Sequence, residues 1–226
     1  MKKMLLLVTL TVFCTGMVTA AVGSIPTVSQ YEETVRQAPV DFEFSKYDRL
    51  FRKYTELFFG DKIDWRVFKS QAIVESRLKH DSISERGAVG LMQVLPTTFA
   101  EIQQRHELFK GKQLEHPEWN IAAGIFYTRY LYERWSKRRG LSDEKRLLLA
   151  FASYNAGFER VSQAMRKTGV KPSSWRRVEP HVPRQTRDYV ARINEVTVSL
   201  VDSIDEVDSP EELISLVMNE TPMRDL

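Results

Sequence analysis

The stretch QAIVESRLKHDSISERGAVGLMQVLPTTF, Gln71 to Phe99, decides the fold, because a helix end, a glycine-rich turn and a helix start follow one another in it. Leading into it, Trp65, Phe68, Ala72 and Ile73 fall on one side of a helical repeat. That run brings a single carboxylate, Glu75, to the point where helical periodicity stops. Ser84, Gly87, Ala88 and Gly90 then crowd ahead of Leu91-Met92-Gln93. Glycines in such a turn let the backbone come close to a ligand. A second helix is predicted after Pro96, where Thr98 and Glu101 have capping-box spacing. One acid at a helix end, facing a turn of small residues, is a way to build a carbohydrate site around a proton donor.

Working outward, helices recur on both sides. Tyr47, Leu50, Phe51, Tyr54, Leu57 and Phe58 step by three and four, which predicts an amphipathic helix closed by Gly60. Asp64 is placed to cap the helix that carries Glu75. Downstream, Asn120 to Trp135 holds Ile121, Ile125 and Leu131 on a helical repeat, and Asp143 to Ala156 holds Leu147, Leu148, Phe151 and Tyr154 before Gly157. Phe158 to Thr168 predicts a short helix closed by Gly169, and Lys171 to Pro183, with its three prolines, reads as a loop. Thr186 to Val201 returns to helix, and Ser209-Pro210-Glu211-Glu212 has the cap and first-turn proline of a last one. No alternating strand pattern of any length occurs, so the expected fold class is all-α, or nearly so.

The ends of the chain have a different character. Residues 1–20 read as an export signal, with Lys2 and Lys3 ahead of an apolar run and Val18-Thr19-Ala20 as a small-residue cleavage site. The alternative is an uncleaved membrane anchor, since Met4 to Val22 is long enough to span a bilayer. Phe13 ahead of Cys14 does not fit a lipoprotein site. Residues 21–41 read as a linker, 42–203 as the folded domain, and 204–226 as an acidic helical tail.

Composition narrows the chemistry. The formal charge is only +3, although Arg and Lys gather between Arg129 and Arg192. That distribution suits either a solvated face or attraction to an anionic polymer or membrane surface. No zinc-finger spacing, RNP-like motif or basic-region heptad accompanies it, so nucleic acid is not an expected partner. Cys14 is the only cysteine, which excludes an intrachain disulfide and a cysteine-ligated metal. His80, His106, His116 and His181 show no metal-ligand spacing, so neither metal nor cofactor is expected.

Four ordered blocks carry a resemblance. Glu75, Ser76, Ser84, Gly87, Ala88, Gly90, Leu91, Met92, Gln93, Pro96 and Thr97 form the first. Asn120-Ile121, Gly124 and Tyr127 form the second, and Tyr154-Asn155-Ala156-Gly157 the third, with Ser153 where alanine is usual. Pro183, Thr186, Tyr189 and Val190 form the fourth, with Gln185 in place of the usual glutamate. Together they resemble the soluble lytic transglycosylase (SLT) family over roughly residues 45–200.

The resemblance implies a lysozyme-like fold and an exported, periplasmic or cell-envelope enzyme acting on peptidoglycan glycan strands. It makes Glu75 the catalytic residue. Glu75 acts first as acid on the β-1,4 bond between N-acetylmuramic acid and N-acetylglucosamine, then as base on the muramic C6 hydroxyl, giving a 1,6-anhydro end. Ser84, Gln93, Tyr154 and Asn155 are expected to line the cleft, with Tyr154 orienting Glu75 and Met92 touching a sugar face. Turn and cap roles for Ser84 and Asn155, and core packing for Met92, are the structural alternatives. Gln185 is expected to weaken a contact in the C-terminal part of the domain without touching the acid. Two competing functions stay open: a goose-type lysozyme-like hydrolase, and a non-catalytic glycan-binding module beside a secretion or conjugation apparatus. A cell-envelope protein partner and membrane association through the N-terminus are compatible with each.

Overall fold

Helix α1, Asp48–Phe59, forms where the sequence predicts it, and its inward stripe is Phe51, Tyr54, Thr55 and Phe59. Leu57 departs from expectation, being 56% exposed. At 3.6 residues per turn it lies about a third of a turn away from Phe51, off the buried stripe that Phe59 completes. This is seen in a computed structural model, which describes residues 45–137, 140–168 and 175–201. The export-signal or anchor segment, the linker, Gly169 and the acidic tail with its Ser209 helix start lie outside the described residues.

Helix α2, Arg66–Ser76, is the axis of the domain. Val67, Phe68, Lys69, Ser70, Gln71, Ala72 and Ile73 are all buried, so it is enclosed by other helices on nearly every side. Asp64 is expected from the sequence to cap α2, but the N-cap position is Trp65, without a side-chain cap; Asp64, one residue earlier, still accepts the Arg66 backbone N–H at 2.8 Å through its carboxylate. Burying Lys69 requires a counter-charge, and Asp48 at the start of α1 supplies it at 2.7 Å. Arg77 ends α2 in the left-handed region, φ 56°.

After a looped segment, α3 spans Pro96–Arg105, with proline at its start and no side-chain cap. The expected Thr98–Glu101 capping box is not formed, because Thr98 already lies inside the helix. Pro96 has no N–H to satisfy and a φ preset for the first turn, so the helix begins there. Helix α4, Pro117–Ser136, packs against α1 and against α5, Asp143–Ala156. Tyr54 of α1 donates its hydroxyl to Glu118 of α4 at 2.8 Å. Gly157 closes α5 at φ 86° and α6, Phe158–Lys167, follows at once.

The region predicted as loop contains two short helical turns, α7 at Trp175–Val178 and a 3-10 turn at Glu179–His181. Trp175 and Val178, three apart, are both buried, and burying that pair winds the chain. Helix α8, Arg184–Leu200, then lies along α2 and α5. Among the described residues the only β pairing is two isolated bridges, Ile83 with Val89 and Val89 with Val94. The expectation of an all-α fold therefore holds.

The core also explains one departure from the family pattern. Trp135 is fully buried and donates its indole N–H to Ser153 Oγ at 3.0 Å; Ser153 in turn donates to the Leu149 carbonyl at 2.6 Å. An alanine at 153 removes that acceptor, a loss that is costly in a dry interior.

Candidate active site

Glu75 sits on the last turn of α2, and the residue that holds it comes from α8. Tyr189 donates its hydroxyl to Glu75 Oε1 at 2.6 Å. Gln71, one turn earlier on α2, donates its amide to the Tyr189 oxygen at 3.1 Å. A phenol has one proton, so a donor behind it directs that proton toward the carboxylate. Thr128 of α4 closes the chain with its hydroxyl 3.4 Å from Gln71 Oε1 and 3.0 Å from the Gly124 carbonyl. Gln71, Thr128 and Tyr189 are buried, whereas Glu75 keeps part of its surface open.

That placement sets the acid's protonation. Burial raises the Glu75 pKa from 4.5 to about 7, the dominant effect; the Tyr189 hydrogen bond and the Arg192 charge pull it partway back. Near neutrality the group exists in both forms, as a residue that must give and then take a proton requires. Among the described residues no second carboxylate contributes to its electrostatics. Asp81 and Glu85 lie at exposed loop positions.

The segment from Arg77 to Leu95 forms the other side of the site and is shaped by polar staples. Ser76 Oγ donates to the Leu91 carbonyl at 2.8 Å. Asn120, buried on α4, accepts the Met92 N–H at 2.8 Å through Oδ1 and donates to the carbonyls of Val89 (2.8 Å) and Leu114 (3.1 Å). Gly90, at φ +76°, lies so close to Asn120 that a Cβ there falls 2.5 Å from the side-chain nitrogen. Gly124 admits Met92 in the same way, a Cβ there lying 2.5 Å from the Met92 Cβ. The Asn-Ile-x-x-Gly-x-x-Tyr spacing thus puts a clamp, a notch and Tyr127 on successive turns of α4.

The site residues expected from the sequence are brought around this segment, though not always in the anticipated role. Tyr154 donates its hydroxyl to the Met92 carbonyl at 2.7 Å. Its one proton is spent on the loop, so the orienting bond to Glu75 comes from Tyr189 instead. Tyr154 is still close enough for the charge of Glu75, together with burial, to hold its own pKa well above 10. Met92 is fully buried against α4, so its side chain packs the core rather than facing a sugar. Gln93, in the left-handed region at φ 48°, donates its amide to the carbonyls of Ser82 (3.2 Å) and Gly90 (3.0 Å). Ser84 Oγ accepts the Ala88 N–H at 3.0 Å, a turn contact. Asn155 Oδ1 accepts from Thr186 Oγ1 at 2.9 Å, joining the end of α5 to the start of α8. Gln185 is exposed on the first turn of α8. Sequence reasoning missed the role of Tyr189 and Gln71, although Tyr189 stood in the fourth block and was a visible signal. Among the described residues, no group of three or more His, Cys, Asp or Glu side chains could hold a metal ion.

Comparisons with known proteins agree with this arrangement. A membrane-bound lytic murein transglycosylase F from Shewanella halifaxensis is 32% identical over 176 residues, covering 73% of this chain and 34% of that protein. The chain spans about a third of the length of such curated relatives. The 70 kDa soluble lytic transglycosylase of Escherichia coli superposes with a TM-score of 0.61 at 23% identity, covering 81% of this chain and 27% of that one. An inactive glutamate-to-glutamine mutant of the Pseudomonas aeruginosa lytic transglycosylase Slt superposes with a TM-score of 0.57 at 22% identity, covering 74% and 26%. These two likenesses bear on the fold. The model of the transglycosylase SLT domain matches residues 59–175, more than half of the 226 residues, and the chain belongs to that family.

Proposed function

We propose that this chain cleaves the β-1,4 bond between N-acetylmuramic acid and N-acetylglucosamine in peptidoglycan without water, leaving a 1,6-anhydromuramic end. The observation that carries the reading is the state of Glu75: partly open, raised to a pKa of about 7 by burial, and, among the described residues, without a second carboxylate in its electrostatics. Hydrolases of glycosidic bonds commonly use two carboxyl groups. One acid suffices when the nucleophile belongs to the substrate.

In the first step protonated Glu75 gives its proton to the glucosamine O4 as the C1–O4 bond breaks. The carboxylate formed accepts a hydrogen bond from Tyr189, already in place at 2.6 Å. It then removes the proton from the muramic C6 hydroxyl while O6 bonds to C1, which restores the acid. Tethering of O6 to the reacting ring replaces the positioning of a water. Ser84, Gln93 and Asn155 are candidate contacts to acetamido and hydroxyl groups, with Tyr154 as part of the wall. The names of the relatives, lytic murein transglycosylases, support the same substrate. A cell-envelope location fits it. Among the described residues no helix is long and apolar enough to cross a membrane.

The test is the mass of products released from purified sacculi. Anhydro-muropeptides, lighter by one water than lysozyme products, support the reading; reducing muramic ends establish hydrolysis instead. Equal digestion by wild type and Glu75→Gln would show that Glu75 is not the acid, and binding without digestion by either would favour the glycan-binding role.

A further inference from the structure

The line of aromatic rings beside Glu75 continues well past it. Tyr127 of α4 meets Tyr154 edge-on at 5.4 Å, and Tyr130 stacks beside Tyr127 at 6.2 Å with the planes 21° apart. Tyr127, Tyr130 and Arg134 stand at i, i+3 and i+7, one stripe along α4. Both tyrosines are only half-buried. Exposed aromatic faces in series suit a chain of sugar rings better than they suit solvent.

The outer end of the stripe is charged. Arg105, the last residue of α3, holds its guanidinium 4.8 Å from the Tyr130 ring centre, and Arg134 lies 5.9 Å from the same ring. Arg134 is already committed: it sits 3.5 Å over Phe158 and pairs with Glu159 at 3.3 Å. Arg105 is exposed, and no ion pair engages it among the described residues. Glu101, one turn before it, is near enough to Tyr127 to act on that hydroxyl, yet does not pair with Arg105. A guanidinium resting on a ring keeps its N–H donors free at the edge, in the fork that matches a carboxylate. A strand stripped of its stems carries only the lactyl carboxylates held close against its rings, whereas peptide stems carry carboxylates outward from the strand, toward the end of the stripe where Arg105 stands.

Resting on the transglycosylase reading, we propose that Tyr127, Tyr130 and Arg105 extend the cleft outward from Tyr154. They make it selective for strands that retain their peptide stems, with Arg105 taking a stem carboxylate. The experiment compares wild type, Arg105→Gln and Arg105→Lys on intact sacculi and on sacculi stripped of peptides by an amidase. Rates of anhydro-product release are read as the ratio of intact to stripped substrate. Wild type is expected to favour intact strands, and Arg105→Gln to lower the ratio about five- to tenfold, the value of one solvent-exposed hydrogen-bonded contact. Arg105→Lys, which keeps the charge but not the fork, is expected to fall between them.

Equal ratios in wild type and Arg105→Gln overturn the assignment, since a surface-packing role changes both rates together. Retention of the same proteins on the two substrates, each immobilised, gives the ratio as binding, independent of turnover. If wild type releases no anhydro products but binding still follows Arg105, the parent reading fails and the selectivity stands.

Discussion

The two walls of the site are built by opposite means. On the α2–α8 side Glu75, Gln71 and Tyr189 project from long packed helices, and a buried relay of hydrogen bonds fixes the acid. On the other side, residues 77–95 form almost no regular structure. Arg77, Leu78 and Gln93 are left-handed there, and Asn120, Ser76 and Tyr154 tie the loop's backbone in place. The difference teaches that the acid is tuned by burial, whereas the shape of the surface facing it depends on a few polar staples. The first wall should fail chemically when altered, and the second structurally.

The largest effect is expected at Glu75 itself. Glu75→Gln should lower anhydro-product release by about a thousandfold or more, within the range for losing a general acid. It should also stabilise the fold in a pH-dependent way. The folded-state pKa of about 7 lies above the unfolded value of 4.5, so between them the folded protein keeps a proton that the unfolded chain has released. Wild-type stability therefore falls as pH rises from 4.5 to 7, and the deficit, about 3 kcal/mol, persists at higher pH. Thermal unfolding at pH 8 and pH 4 should show the variant's advantage at the first and none at the second.

Next comes the loop clamp. Asn120→Ala orphans the Met92 N–H and the Leu114 carbonyl and takes one of two donors from the Val89 carbonyl, which keeps the Val94 N–H; this should cost about 3 kcal/mol and loosen the loop. Denaturant unfolding measures the loss. Hydrogen exchange confined to residues 77–95 would sharpen the contrast between the walls, and uniform exchange across α2 and α8 would break it.

Tyr189→Phe should act on chemistry with little change in fold, lowering turnover about tenfold. The hydroxyl stabilises the charged form of Glu75, so removing it should move the alkaline limb of the pH–rate profile upward from about 7. A profile left in place would mean that Tyr189 merely packs. The smallest effect is expected in the core: Ser153→Ala should cost about 1–2 kcal/mol through the lost Trp135–Ser153 hydrogen bond, with turnover unchanged. Pairing it with Trp135→Phe should recover most of that loss, as a double-mutant cycle would show.

Much of this was legible in one dimension. Apolar spacing located the main helices, because a face that must be buried repeats with the helical period. Glu75 stood out as the carboxylate at a helix end beside a glycine-rich turn, and Gly157 as the stop after α5. What the spacing misjudged were local competitions: Leu57 lost its place in the core to Phe59, and Pro96 began α3 without the capping box. The proline-rich stretch wound up to bury Trp175 and Val178.

Sequence alone thus determined the helices, the family likeness and the place of Glu75 at a helix end beside a glycine-rich turn, since periodicity and local turn chemistry are written along the chain. Tertiary structure alone decided which tyrosine holds Glu75. Tyr154 and Tyr189 are equally plausible partners on paper, 79 and 114 residues from the acid. Folding gave the Met92 carbonyl to Tyr154 and the carboxylate to Tyr189. It also set the pKa, because desolvation depends on everything that packs around a group and not on its neighbours in the chain.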